Sequence, residues 1–214
     1  MPRRLITAVA VVMGFAAATA YAAVTPIPPN RIMDLLPGGL PAGCAEVTGK
    51  ALQGDDRTNH IRGTRRNDFL RGGDGNDFLD GRRGLDCLVG QGQDDSLDGD
   101  SGNDILVAGQ GHDVVKGGRG DDVINGGTER DRLRGGRGPD SISGGRAADV
   151  IHGGREVDFL AGARGNDEIR GGERKDEIRD YQGRNEIFCG DGSDEVVTNR
   201  RSEVADDCEN VTRR

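Results

Sequence analysis

One residue type recurs at a spacing that can do chemistry. Asp stands at every ninth position from Asp68 through Asp77, Asp86, Asp95, Asp104, Asp113, Asp122, Asp131, Asp140, Asp149, Asp158, Asp167 and Asp176, and again at Asp194. Asn59 and Asn185 fill the same position in two further units. A lone pair of carboxylates suits acid–base catalysis, whereas a stack of them suits a hard cation. A fixed period argues for the stack. Other catalytic groups are scattered. His60, His112 and His152 fall at different points of the period, and none stands beside a Ser or Cys in a nucleophile–base motif.

The elements that must position these carboxylates repeat with them. From Gly54 to Val197 the chain aligns as sixteen nine-residue units without insertion or deletion; Gly72-Gly73-Asp74-Gly75-Asn76-Asp77-Phe78-Leu79-Asp80 is the cleanest. Position eight is aliphatic in all sixteen units, and position one is Gly in thirteen. One aliphatic per unit cannot be buried by that unit alone, so the units must stack as very short strands. Gly at positions one, two and four permits positive φ and tight turns. Stacked strands would place the carboxylates about 4.8 Å apart, where unpaired charges repel. A cation must intervene. Calcium fits, because it takes six to eight oxygens from carboxylates and backbone carbonyls.

The pattern G-G-x-G-x-D-x-U-x over residues 54–197 resembles the RTX (haemolysin-type) calcium-binding repeat. The resemblance implies an all-β fold, a parallel β-roll solenoid in which two units make one turn. It implies glycine turns alternating between two edges, with calcium held between units n and n+2. GGxGxD is intact at Gly72–Asp77, Gly117–Asp122 and Gly135–Asp140. It is one substitution away at Gly81–Asp86, Gly99–Asp104, Ala108–Asp113, Gly162–Asp167 and Cys189–Asp194. The expected calcium ligands are therefore Asp77, Asp86, Asp95, Asp104, Asp113, Asp122, Asp140, Asp167 and Asp194. Gly72, Asp74, Gly75, Gly117, Gly120, Gly135 and Gly138 belong to the same turns. The expected same-edge pairs are Asp77 with Asp95, Asp95 with Asp113, Asp86 with Asp104, Asp104 with Asp122, and Asp122 with Asp140.

In the C-terminal half four units keep Asp but lose Gly at position four: those with Glu129, Ala147, Glu156 and Arg174. Position three is Arg in seven units: Arg65, Arg83, Arg119, Arg137, Arg146, Arg155 and Arg164. These features suggest that the C-terminal half is partly calcium-independent, with Arg or Lys pairing with the Asp column. In the competing reading they point to solvent and the turns still bind the ion. Position seven is apolar early (Phe69, Phe78, Ile105, Val114, Val123) and Glu late (Glu168, Glu177, Glu186, Glu195). The apolar run reads as strand propensity on a weakly buried surface, or alternatively as a partner face.

Composition agrees with the repeat. The 214 residues include 37 Gly, 31% are charged, 3% are aromatic and Trp is absent. That excludes a large, densely packed enzyme core. A net charge of −8 makes nucleic acid a poor partner and cations a good one. Arg3 and Arg4, the apolar run Leu5–Ala18 and the small-residue site Ala20-Tyr21-Ala22 read as a signal peptide over residues 1–22. Ala18-Thr19-Ala20 is a competing cleavage site. An uncleaved anchor is disfavoured, since a spanning helix needs about 20 apolar residues. Residues 23–43 hold five of the seven Pro and read as an extended linker. Residues 44–53 and 198–214 read as caps over exposed strand edges. In the C-terminal cap the phase continues weakly, with Glu203 at position six and Ala205 at position eight.

An even number of Cys in an exported chain favours disulfides. Cys189 is position one of its unit, and Cys208 would be position two of a unit two further on. The stacking that the resemblance implies puts them on adjacent turns, about 5–6 Å apart, and the tail is similar to those of other short exported proteins of this type. Cys44 then pairs with Cys87 by elimination. The resulting reading is a secreted, non-enzymatic calcium-binding roll whose folding is driven by Ca2+ and whose protein or cell-envelope partner is unknown. The alternatives are an extracellular adhesion or cell-envelope interaction module using the roll as scaffold, and a cryptic hydrolase.

Overall fold

The computed structural model describes Cys44 and residues 48–214. The expected leader, the linker, and Ala45, Glu46 and Val47 of the N-terminal cap lie outside the described residues. Among the described residues no helix is long and apolar enough to cross a membrane.

Each full strand runs from position seven of one unit to position three of the next, as in Val114–Arg119, Arg132–Arg137 and Val150–Arg155. Strand alternation sends position eight and the following position one inward and positions seven and nine outward; the positive φ of Gly118, Gly136 and Gly154 at position two then breaks the alternation, and position three is exposed. Positions four to six make the turn. The nine-residue period thus contains one strand and one corner.

Successive strands go to opposite sheets. The first sheet begins with Ala51–Gln53, Phe69–Asp74 and Cys87–Gly92, takes every second strand thereafter, and ends at Asn210–Arg213. The second begins with His60–Arg62, Phe78–Asp80 and Ser96–Ser101 and ends at Glu203–Val204. All pairings are parallel, and within the repeats they match residues eighteen apart, as in Leu70 with Leu88 and Val115 with Leu133. Two units therefore make one turn of a parallel β-roll.

The core is the position-eight column. Leu70, Leu79, Leu88 and their successors to Val196 are buried in one continuous cluster, with Leu52, Ile61 and Val204 packed on its ends. Apolar burial along this line is the main stabilising term, roughly 1.5–3 kcal/mol per side chain. A smaller cluster lies on the outer face of the first sheet: Cys44, Cys87, Ile105, Val107 and Val123, with Phe69 against it. Position seven is thus not uniformly a weakly buried surface. Ile105 and Val123 belong to a satellite core, while Phe78 and Val114, on the second sheet, are exposed.

The caps extend the stack beyond the sixteen units. Ala51–Gln53 pairs in phase with Phe69–Arg71. The disulfides are Cys44–Cys87 and Cys189–Cys208, with Cα–Cα separations of 5.6 and 5.2 Å. The C-terminal cap corrects one expectation. Glu203 pairs with Glu186 and Val204 with Ile187, a register of seventeen residues rather than eighteen. Val204, not Ala205, takes the inward position, and Ser202 takes the place expected for Glu203. The slip suits burial of the larger aliphatic. It is accommodated by a tight turn in which Asn199 accepts the Arg201 N–H at 2.7 Å and donates to the Gly183 carbonyl at 3.0 Å.

Candidate metal centre

Because turns alternate between edges, the acidic column is two ladders. One edge carries Asp77, Asp95, Asp113, Asp131, Asp149 and Asp167; the other carries Asp68, Asp86, Asp104, Asp122, Asp140, Asp158, Asp176 and Asp194. All are buried. Each rung is hydrogen-bonded to the next. Asp77 N–H donates to Asp95 Oδ1 at 2.8 Å, and Asp95 N–H to Asp113 Oδ1 at 2.7 Å. On the other edge Asp86 N–H reaches Asp104 Oδ1, Asp104 N–H reaches Asp122 Oδ1, and Asp122 N–H reaches Asp140 Oδ1, at 2.7 to 2.9 Å. All five expected same-edge pairs are therefore brought together. Asp167 donates to Asn185 Oδ1 at 3.0 Å, and Asp194 to Glu209 Oε2 at 2.9 Å, so an amide and a longer acid finish the two ladders.

The second oxygen of each carboxylate is the chemically telling one. Oδ2 of Asp77, Asp86, Asp95, Asp104, Asp113, Asp122, Asp140, Asp167 and Asp194 is buried and has no hydrogen-bond partner. The same holds for Asp131, Asp149, Asp158 and Asp176, which lie in units lacking the turn glycine. A buried, unpartnered carboxylate oxygen is costly, and these recur on every turn. Asp68, at the N-terminal end, is different: Lys50 N–H, Thr64 N–H and the Thr64 hydroxyl satisfy it.

Position one must be small because these oxygens point at it. A Cβ on Gly99 would stand 2.5 Å from Asp104 Oδ2 and 2.6 Å from the Gly117 carbonyl oxygen. Gly72, Gly117 and Gly135 face Asp77, Asp122 and Asp140 in the same way. Each turn with Gly at position one thus gathers a carboxylate oxygen and, on several turns, a neighbouring backbone carbonyl beside a position that carries no side chain. That is a hard-cation donor set of the kind calcium takes. Gly75, Gly120 and Gly138 have φ of 114°, 126° and 111° and stack directly over the backbone of the turn below. Asp74 lies exposed at the end of its strand.

Burial governs the electrostatics. Desolvation pushes Asp86 and Asp95 up to about 7, Asp104 to about 8 and Asp122 to about 9, partly opposed by the backbone N–H each accepts. Asp131 and Asp158 rise for the same cause, to about 8 and about 9. Asp77, Asp167 and Asp194 are also raised by burial. The ionised ladder requires compensating positive charge.

Among the described residues no Arg or Lys makes the expected ion pair with the column; Arg130 and Lys175 act on Asp149 and Asp194 only at longer range, opposing the rise that burial causes. Among the described residues the ion pairs are Arg62–Asp80, Arg155–Glu173, Arg170–Glu168 and Arg179–Glu177, and none involves a ladder Asp. The reason is geometric: position three is exposed, away from the buried carboxylate. The four C-terminal turns without Gly at position four keep left-handed backbone there, with φ of 65° at Glu129, 76° at Ala147, 74° at Glu156 and 77° at Arg174. Two of these residues also return a carboxylate to the turn below, Glu129 to Gly111 N–H at 3.0 Å and Glu156 to Gly138 N–H at 3.1 Å. Asp131, Asp149, Asp158 and Asp176, in units that depart from GGxGxD, present the same buried Oδ2 as the units that keep it, and the unbroken nine-residue phase is the signal for this in the sequence.

Residues 53–86, 88–115, 98–131, 109–141, 125–160 and 161–196 match the family model of the RTX calcium-binding nonapeptide repeat. No curated protein matches the chain. The matched segments cover well over half of the chain and coincide with the stacked turns and their two carboxylate ladders. The chain therefore belongs to the RTX calcium-binding nonapeptide repeat family, and its cofactor is Ca2+.

Proposed function

We propose that this is a secreted protein whose folding is driven by calcium, and that the two ladders, including Asp77, Asp86, Asp95, Asp104, Asp113, Asp122, Asp140, Asp167 and Asp194, supply the ligands. One observation carries the reading: the run of buried, unpartnered Asp Oδ2 atoms along both edges. Calcium supplies the positive charge that lets these carboxylates stay ionised while buried. The chain's own residues do the rest. Oδ1 is held by the N–H of the preceding rung, which aims Oδ2 into the turn. The position-one glycines keep that space clear of side chains. In the unfolded chain the carboxylates are far apart and bind weakly, so calcium affinity becomes folding free energy through linkage. The leader-like residues 1–22 and the calcium available outside cells support folding after export. Two disulfides suit an oxidising compartment.

The test is far-UV circular dichroism at about pH 8 with calcium and with chelator. Strand signal should appear only with calcium. A fully β-structured chain in chelator would overturn calcium-driven folding. Mass measurement of the exported protein should find a chain starting after Ala22.

A second reading, the roll as scaffold for adhesion to the cell envelope, is favoured by one surface. On the outer face of the second sheet, Arg119, Arg137 and Arg155 stack on consecutive turns, beside Lys116 and Arg134. This basic ladder on an acidic protein suits an anionic envelope polymer. Salt-sensitive binding to such a polymer, lost in an Arg119→Glu/Arg137→Glu variant, would support it. Equal binding by that variant would reject it.

A further inference from the structure

The unit at residues 180–188 exchanges its two key positions: Asp180 stands where Gly is usual, and Asn185 stands where Asp is usual. The exchange is visible in space. A Cβ on Gly162 would collide with Asp167 Oδ2 and Asp180 Oδ2 together, whereas on the same edge the equivalent point at Gly126 meets Asp131 Oδ2 at 2.5 Å and the Gly144 carbonyl at 2.6 Å. A second carboxylate has come to where neighbouring turns bring a neutral carbonyl. Asp180 is fully buried and Asp167 nearly so, and neither Oδ2 has a partner.

The remaining atoms are spoken for. Asp167 Oδ1 accepts the Asp149 N–H at 2.9 Å, and Asp180 Oδ1 faces the Gln182 N–H at 3.4 Å. Asn185 uses Oδ1 for the Asp167 N–H at 3.0 Å and Nδ2 for the Gln182 carbonyl at 2.9 Å. Its amide closes the turn. The negative charge that position six normally carries has moved to position one.

We propose that Asp167 and Asp180 form a hard divalent-cation site of their own, with two carboxylates rather than one carboxylate and a carbonyl, that keeps this edge charged up to the C-terminal cap. The proposal rests on the calcium-binding reading above. Two ionised carboxylate oxygens this close out of water repel; in the metal-free roll a proton shared between Asp167 and Asp180 relieves this, and a cation between them relieves it with both ionised. The doubled charge makes it a tighter site than its neighbours, since calcium affinity rises with ligand charge.

The test counts calcium ions on the full chain by native mass spectrometry and isothermal titration. Asp180→Asn should lose one ion from the wild-type count, taken from the tightest class, and leave the rest. The double variant Asp180→Gly/Asn185→Asp, which restores the usual arrangement, should recover the ion at lower affinity and shows that loss in the single variant is not misfolding. An unchanged count and affinity in Asp180→Asn, with wild type binding calcium, would overturn the proposal while leaving the general reading intact. Absence of calcium from wild type would instead overturn the general reading.

Discussion

Asp95 accepts the Asp77 backbone N–H through Oδ1 at 2.8 Å, while its Oδ2 is buried without a partner beside Gly90. One oxygen thus builds the stack and the other is left for a ligand. The same division recurs along both edges, so structure and binding depend on the same side chain.

Removing one central carboxylate should separate these two tasks. Asp122→Asn keeps an oxygen for the Asp104 N–H, now made at 2.8 Å, but loses the charge. Calcium affinity at that turn should fall at least about tenfold, equivalent to about 1.4 kcal/mol. Asp122→Ala should cost more, because the Asp104 N–H then also loses its acceptor. Calcium titration of both variants checks the order; equal effects would contradict the division of labour.

The pH dependence of the metal-free roll follows from the raised carboxylates. Asp104, Asp122 and Asp158 in the fold hold their protons up to about 8, 9 and 9, whereas unfolded Asp loses its proton near 4. Between these values the folded chain binds more protons than the unfolded one. Metal-free stability is therefore greatest in acid and falls as pH rises through the folded values. In chelator, strand content should be higher at about pH 5 than at about pH 9, and calcium should reverse the loss while releasing protons. A pH titration followed by circular dichroism tests the sign; rising stability from acid to base without metal would refute it.

Space at position one is as important as charge at position six. Gly99→Ala places a methyl 2.5 Å from Asp104 Oδ2 and 2.6 Å from the Gly117 carbonyl. Overpacking of this kind costs roughly 1–3 kcal/mol, and here it also displaces a ligand oxygen. Both the thermal midpoint in excess calcium and the calcium affinity should drop.

Position four offers the opposite experiment. Ala147 and Arg174 sit at φ of 76° and 77°, a conformation that costs an L-residue about 1–2 kcal/mol. Ala147→Gly and Arg174→Gly should raise the thermal midpoint in calcium. Glu129→Gly and Glu156→Gly should gain less, because each Glu also accepts a backbone N–H.

The C-terminal disulfide should matter for the last turns. Cys189 is buried in the core, and Asp207, next to Cys208, accepts the Cys189 and Gly190 N–H groups at 3.3 and 3.1 Å. Replacing Cys189 and Cys208 by Ser should cost about 3 kcal/mol for a loop of this length. Hydrogen exchange should rise first in Asn210–Arg213 and Glu203–Val204, while the central strands stay protected.

Much was legible because the repeat states it many times over. The nine-residue phase by itself determined the inward aliphatic column from Ile61 to Val196, the acidic corner and the need for Gly beside it, since each follows from alternation along one short strand. The stacking that the family resemblance implies indicated that Cys189 meets Cys208, and Cys44 with Cys87 followed by elimination. Tertiary structure alone decided what depends on stacking. The eighteen-residue register divides the Asp into two ladders and leaves Oδ2, not Oδ1, unpartnered. Ile105 is buried and Val114 exposed because successive units face different sheets, and only one of those sheets carries the satellite core around Cys44. The one-residue slip that packs Val204 against the end of the core arises where the chain leaves the repeat. Asp167 and Asp180 lie thirteen residues apart in sequence, as Asp131 and Gly144 do, and only the stacking of alternate units brings such positions together.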